Sequence, residues 1–121
     1  MDKVQALTSF WNSFGLKAYD VSSVPDNAVM PYLTFEVATD SFGNEVAITN
    51  SLWHNSTSWA AISQKAEEIS SAVGMCGKTL RYDDGGMWIK RATPFAQRLS
   101  TDSDTIKRIV LNFSIEFISN N

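Results

Sequence analysis

The sequence predicts an α/β layered fold of the α+β type, a mostly antiparallel β-sheet of about four to five strands with two main helices packed on one side. Three observations carry this reading. Two stretches, 2–14 and 59–73, repeat apolar residues at spacings of three and four, the period of an amphipathic helix. Three others, 32–39, 45–54 and 106–118, alternate between apolar and polar residues, the period of a strand with one buried face. Finally, Lys78-Thr79-Leu80-Arg81-Tyr82 and Met87-Trp88-Ile89-Lys90-Arg91 flank the acidic, glycine-bearing Asp83-Asp84-Gly85-Gly86. Glycine reaches φ > 0 without a Cβ clash and Asp tolerates the left-handed region, so this stretch reads as a tight hairpin.

In chain order, Val4, Leu7, Phe10, Trp11 and Phe14 form the stripe of the first helix, which Gly15 ends. Residues 16–20 are a short extended piece, and the Pro, Asp and Asn content of 22–28 marks a loop. Pro31 opens a strand in which Leu33, Phe35 and Val37 share one face. After a turn at 40–44, Val46, Ile48 and Leu52 share one face of a second strand, against Ala47, Thr49, Ser51 and Trp53. The two strands pair as an antiparallel hairpin. Ser58 caps the second helix, whose Trp59, Ile62, Ala66, Ile69 and Val73 face the sheet, and Gly74 closes it. Beyond the acidic hairpin, Pro94 is expected to throw the chain out of the sheet, leaving 93–104 as a long loop. The last strand buries Ile109, Leu111, Phe113, Ile115 and Phe117 and is expected to be the longest and central.

At 121 residues and 44% apolar content the chain suits one domain, 1–121, with its own core. Cys76 is the only cysteine, so no internal disulfide or paired-cysteine metal site is expected, and a reducing compartment suits it. No apolar run approaches the roughly 20 residues that span a bilayer, and no signal pattern opens the chain, so a soluble protein is expected. The net charge of −3 argues against a broad duplex-binding face. That charge is unevenly spread. Seven of the ten basic residues follow Gly77, so residues 78–121 carry +2 and residues 1–77 carry −5. Such asymmetry favours association between copies of one chain.

No catalytic constellation emerges. There is no phosphate-cradling glycine loop before a Lys-Ser/Thr pair, and no serine has a partnering His and Asp set. Asp83-Asp84 and Asp102-Ser103-Asp104 read as turn chemistry in preference to a Mg²⁺ site. The lone histidine, His54, has no second base or ligand placed beside it. Neither an enzyme nor a cofactor is expected; the composition points to an interaction protein.

Three segments carry a resemblance to a known family: Met30-Pro31-Tyr32-Leu33-Thr34-Phe35-Glu36, Ser51-Leu52-Trp53 leading to Ser56-Thr57-Ser58-Trp59, and Trp88-Ile89-Lys90-Arg91-Ala92-Thr93-Pro94-Phe95-Ala96-Gln97-Arg98. With the closing Arg108-Ile109-Val110-Leu111-Asn112, and in this order, they resemble the tail terminator (tail completion, tail-to-head joining) proteins of tailed bacteriophages and prophages of Gram-positive bacteria. The resemblance implies a virion structural protein, assembled in the host cytoplasm, that caps the head-proximal end of the tail tube as a homo-hexameric ring. It would stop tube polymerisation and present the head-joining surface. Its implied partners are other copies of itself, the major tail tube protein and a head-completion or connector protein, with DNA only passing through the lumen and no membrane. It implies no cofactor, metal or catalytic residue. Carried onto this chain, Lys90, Arg91, Thr93, Pro94, Phe95, Gln97 and Arg98 would face a neighbouring subunit or the tube. Another head–tail connector, adaptor or head-completion protein is the alternative within the same module. A small ligand-binding domain using the surroundings of Trp53, His54 and Trp59 is the alternative outside it.

Overall fold

The computed structural model describes residues 1–37, 44–83 and 85–119. Helix α1 (Lys3–Trp11) starts on a reciprocal cap, in which Asp2 Oδ1 accepts from the Gln5 N–H and Gln5 Oε1 accepts from the Asp2 N–H. A 3₁₀ turn (Asn12–Phe14) ends at Gly15, whose φ of 80° turns the chain into strand β1 (Lys17–Asp20). Strands β2 (Tyr32–Phe35) and β3 (Glu45–Asn55), helix α2 (Ala60–Val73), and strands β4 (Lys78–Tyr82), β5 (Gly85–Leu99) and β6 (Ile106–Ser119) follow. The expected α+β fold is present, with six strands in the order β1-β2-β3-β6-β5-β4. The additional strand is β1. It runs parallel to β2, with Ala18 opposite Leu33, while every other pairing is antiparallel.

One face of this sheet carries the core. Leu33, Phe35, Ile48, Leu52, Met87 and Ile89 join the alternating apolar residues of β6 against Leu7, Phe10 and Trp11 of α1 and Ile62, Ala66, Ile69 and Val73 of α2. Trp11 is fully buried and its ring lies 5.0 Å from that of Phe113. Val4, expected on the apolar stripe, is instead exposed, and Ala6 takes the buried position. The N-cap of α2 is Trp59 and not, as expected, Ser58; no side chain caps the helix there, and Ser58 Oγ accepts from the Ala60 N–H at 3.1 Å one residue before it. The expected continuation of the first hairpin strand through Ala38 and Thr39, the turn at 40–43, and Asp84 lie outside the described residues.

Two expectations about the C-terminal half are corrected. Pro94 does not throw the chain out of the sheet. Strand β5 runs on to Leu99, so among the described residues it, and not β6, is the longest strand, and the connecting loop shrinks to 100–105. The chain absorbs the proline in a bulge: from Arg91 to Ala96 β5 advances five residues while β6 advances only two, from Phe113 to Leu111. Proline is admissible there because a bulged residue needs no ladder N–H. The bulge is held from both sides. Asn112 Nδ2 donates to Pro94 O at 2.9 Å and to Gln97 Oε1 at 3.1 Å, and the Phe95 ring packs edge-on against Phe113 at 5.3 Å.

Candidate interaction surface

An odd number of steps across the bulge reverses which residues of β5 face which side. Before it, Trp88 and Lys90 lie on the helix-free face and Ile89 and Arg91 on the helix side. After it, Gln97 lies on the helix-free face and Ala96 and Arg98 on the helix side, opposite Leu111 and Ile109. The seven residues expected at an interface therefore share one stretch of strand but not one patch.

Each has a distinct setting. Lys90 is ion-paired with Glu45 of β3, and its Nζ also sits 4.4 Å from the centre of the Trp88 ring. Arg91 reaches the other way and donates to Ser70 Oγ of α2 at 2.7 Å. Thr93 and Pro94 are exposed in the bulge, whereas Phe95 is half-buried against the core. Gln97 is exposed and bound to Asn112. The Arg98 guanidinium lies 4.9 Å from the centre of the Trp59 ring, which Lys107 Nζ approaches to 5.6 Å. Sequence periodicity did not single out Trp59 as a cation-bearing platform, because its partners come from strands 39 and 48 residues downstream.

Strand β4 pairs with β5 only from Gly85 to Ile89. From Ala96 to Leu99, β5 has β6 on one side and, among the described residues, no strand on the other. A groove of about 260 Å³ follows this free edge, walled by Ala66, Glu67 and Ser70 of α2 and by Phe95, Ala96 and Arg98 of β5. Phe95 also borders a second hollow of about 490 Å³ that extends past Arg91 to Met75 and Cys76. Phe95 is the wall that the two share.

The surroundings of Trp53, His54 and Trp59 do not converge on a common wall. Trp53 and His54 are successive strand residues and point to opposite faces. The Trp53 indole N–H donates to Thr34 Oγ1 at 3.0 Å, and its ring is covered by the Arg108 guanidinium at 4.7 Å. Among the described residues no group of three or more His, Cys, Asp or Glu side chains is placed to hold a metal ion, and no helix is long and apolar enough to cross a membrane.

The charge asymmetry of the sequence acquires a spatial meaning in this topology. The order places β1-β2-β3 on one half of the sheet and β6-β5-β4 on the other. All seven basic residues after Gly77 lie on β4, β5 and β6, with Glu116 as the one acid on those strands. The opposite half carries Asp20 and Glu45 against Lys17.

No protein-family model matches the chain, and a comparison with curated proteins finds no match. Among solved structures, a chain in the virion of a native gene transfer agent (GTA) particle matches with a TM-score of 0.57. The two share one fold. Their sequences are 20% identical, and the match covers 96% of this chain and 85% of that one.

Proposed function

We propose that this protein is a structural component of a phage-like particle, and specifically a tail terminator: a ring that caps the head-proximal end of the tail tube, halts its growth and offers the surface to which the head attaches. The observation that carries the reading is the likeness of fold to a chain of the GTA virion over nearly the whole length, joined to the terminator-like segments in the sequence. A shared fold alone does not specify a role, so the terminator assignment rests on those segments.

The physical mechanism needs no bond chemistry. The lower side of the ring reproduces the docking face of a tube disc and binds the growing end. An upper side lacking that face ends polymerisation. Charges of opposite sign on the two halves of the sheet set the register between neighbours in a head-to-tail ring.

The test is a capping assay. Purified tube protein is polymerised with and without this protein, and tube length and end density are compared by electron microscopy. The expected outcome is short tubes with added density at one end only. Tubes of unchanged length with bare ends would sink the terminator reading, and binding to portal rings instead would favour the connector reading.

A further inference from the structure

We propose that the helix-free face of the sheet, at the end marked by Lys17, Tyr32, Trp53 and Arg108, holds the phosphate backbone of duplex DNA without reading its sequence. The contact is argued from the surface itself and rests on the particle reading above only for the source of the DNA.

Register brings these four residues into one row. Lys17 lies opposite Tyr32, Tyr32 opposite Trp53 and Trp53 opposite Arg108, across β1, β2, β3 and β6. Their chain neighbours Ala18, Leu33, Leu52 and Ile109 are buried in the core, so the row stands on the other face, away from both helices. Beside it on the same face run Tyr19, Thr34, Ser51 and Val110. Neither row contains an acid. Glu45 and Glu116 lie at the far end of this face, where Glu45 is paired with Lys90, and Glu36, which follows β2, accepts from the Thr49 N–H.

Arg108 is held in place before any ligand arrives. Its guanidinium lies 4.7 Å from the centre of the Trp53 ring, its Nε donates to Ser51 Oγ at 3.1 Å, and the Trp53 indole N–H is itself tied to Thr34 Oγ1 at 3.0 Å. Among the described residues its two terminal nitrogens have no hydrogen-bond or ion-pair partner. A guanidinium fixed in this way loses little freedom when both nitrogens take an oxyanion. Lys17, exposed and likewise unpaired among the described residues, adds a second positive charge from a strand three spacings away, about 14 Å.

The surroundings select the phosphates of a duplex. A protein interface is centred on buried apolar anchors, and at this end of the face Leu99, opposite Arg108, is the one large apolar residue exposed among the described residues. A single strand binds by stacking its bases on open rings, but the Trp53 ring already carries Arg108, and the half-buried Tyr19 and Tyr32 rings pack edge-on at 5.6 Å. What remains is two cations and two phenol hydroxyls, groups that donate to phosphate oxygens. Two charged contacts per chain make a weak hold, in keeping with a net charge of −3.

The test is fluorescence anisotropy of a labelled duplex of mixed sequence, titrated with the full chain over a range of salt. Binding is expected to weaken as salt rises, and K17Q and R108Q are each expected to lower affinity about fivefold or more and to reduce the salt slope by about one. R108Q also gives up the Trp53 and Ser51 contacts, so K17Q, at an exposed position, carries the test if that variant fails to fold. K78Q removes an equal charge from the other face, on β4, and is expected to change little. No binding at the lowest salt overturns the proposal, as does an equal loss with K78Q. A single strand of the same length held more tightly than the duplex would mean that bases stack on the surface. Displacement of the duplex by polyglutamate as readily as by unlabelled duplex of equal charge would mean an acidic protein partner. Either result overturns the proposal. Tube capping is read separately: K17Q/R108Q protein that releases DNA but still caps tubes supports both readings, whereas unaltered protein that holds DNA and does not cap loses only the terminator reading.

Discussion

At the scale of single residues, three positions show how local chemistry constrains this chain. Gly77 has φ of 82°, and a Cβ placed on it would come within 2.4 Å of Trp88 Nε1 and 2.7 Å of Ile89 O. The indole N–H of Trp88 meanwhile donates to Cys76 O at 2.8 Å, so the ring has no room to retreat without losing that bond. Left-handed backbone strain and overpacking act together, and Gly77→Ala is expected to lower unfolding stability by about 3 kcal/mol, measured by urea denaturation. Asn50 has the opposite problem. It is 1% exposed on the core face of β3, and among the described residues neither its Oδ1 nor its Nδ2 has a hydrogen-bond partner. Replacing an orphaned buried amide with an apolar group of similar size removes its desolvation cost, so Asn50→Leu is expected to raise stability by about 1–2 kcal/mol in the same assay. Asp20, by contrast, is solvent-facing. The Ser22 backbone N–H and then its hydroxyl donate to its carboxylate and hold its pKa below the ordinary carboxylate value. A folded-state pKa below the unfolded one contributes stability above the unfolded value and loses it as pH falls through the folded one. The Ser22→Ala variant is expected to raise the Asp20 pKa toward the ordinary range, read by NMR titration. No rise would mean that the hydroxyl contributes nothing.

At the scale of elements, the bulged strand β5 is the part least legible beforehand. A proline inside a run of mixed polarity reads as a break, and the alternation on either side of 92–95 is out of phase. That phase change is the signature of an odd step across a bulge, yet it acquires meaning only once β6 is known to be the partner on both sides. Asn112 is the residue that joins the two halves, through its bonds to Pro94 and Gln97. Removing it by Asn112→Ala is expected to leave the 85–91 half of β5 protected while amide hydrogen exchange in 96–99 accelerates, with a cost of about 1 kcal/mol. Uniform protection across β5 after the substitution would show that the β6 ladder alone secures the strand. The helices and the apolar strands were far easier to read. Their burial patterns depend on one period each, and Ile62, Ala66, Ile69 and Val73 of α2 are all buried where that period places them.

At the scale of the whole molecule, the same ten basic and thirteen acidic residues behave as an arranged field and not as a net charge. The strand order separates a basic half-sheet from a less basic one, and Lys90 paired with Glu45 spans the boundary between them. If copies associate edge to edge, those charges lie at or near their contact and are partly exposed. Rising salt is then expected to shift the assembly toward smaller species, seen by light scattering behind a sizing column. A native mass unchanged by salt would mean that apolar contacts alone hold the copies together. The lysine itself is tied to the fold, so charge reversal at Lys90 changes stability as well as association. Arg98 has no ion pair among the described residues, so a reversal there gives up only its contact with the Trp59 ring.

The sequence by itself determined the class of fold, both helices, the faces of β3 and β6, and the uneven distribution of charge along the chain. Each of these follows from local period or counting. Only the tertiary structure decided that residues 17–20 form a parallel edge strand, that β5 passes through its proline, and that a groove opens between α2 and residues 95–98. The physical reason is common to all three: each depends on which element lies alongside which. Strand pairing joins residues far apart in the chain through hydrogen bonds that are the same for every sequence, so no local pattern records it.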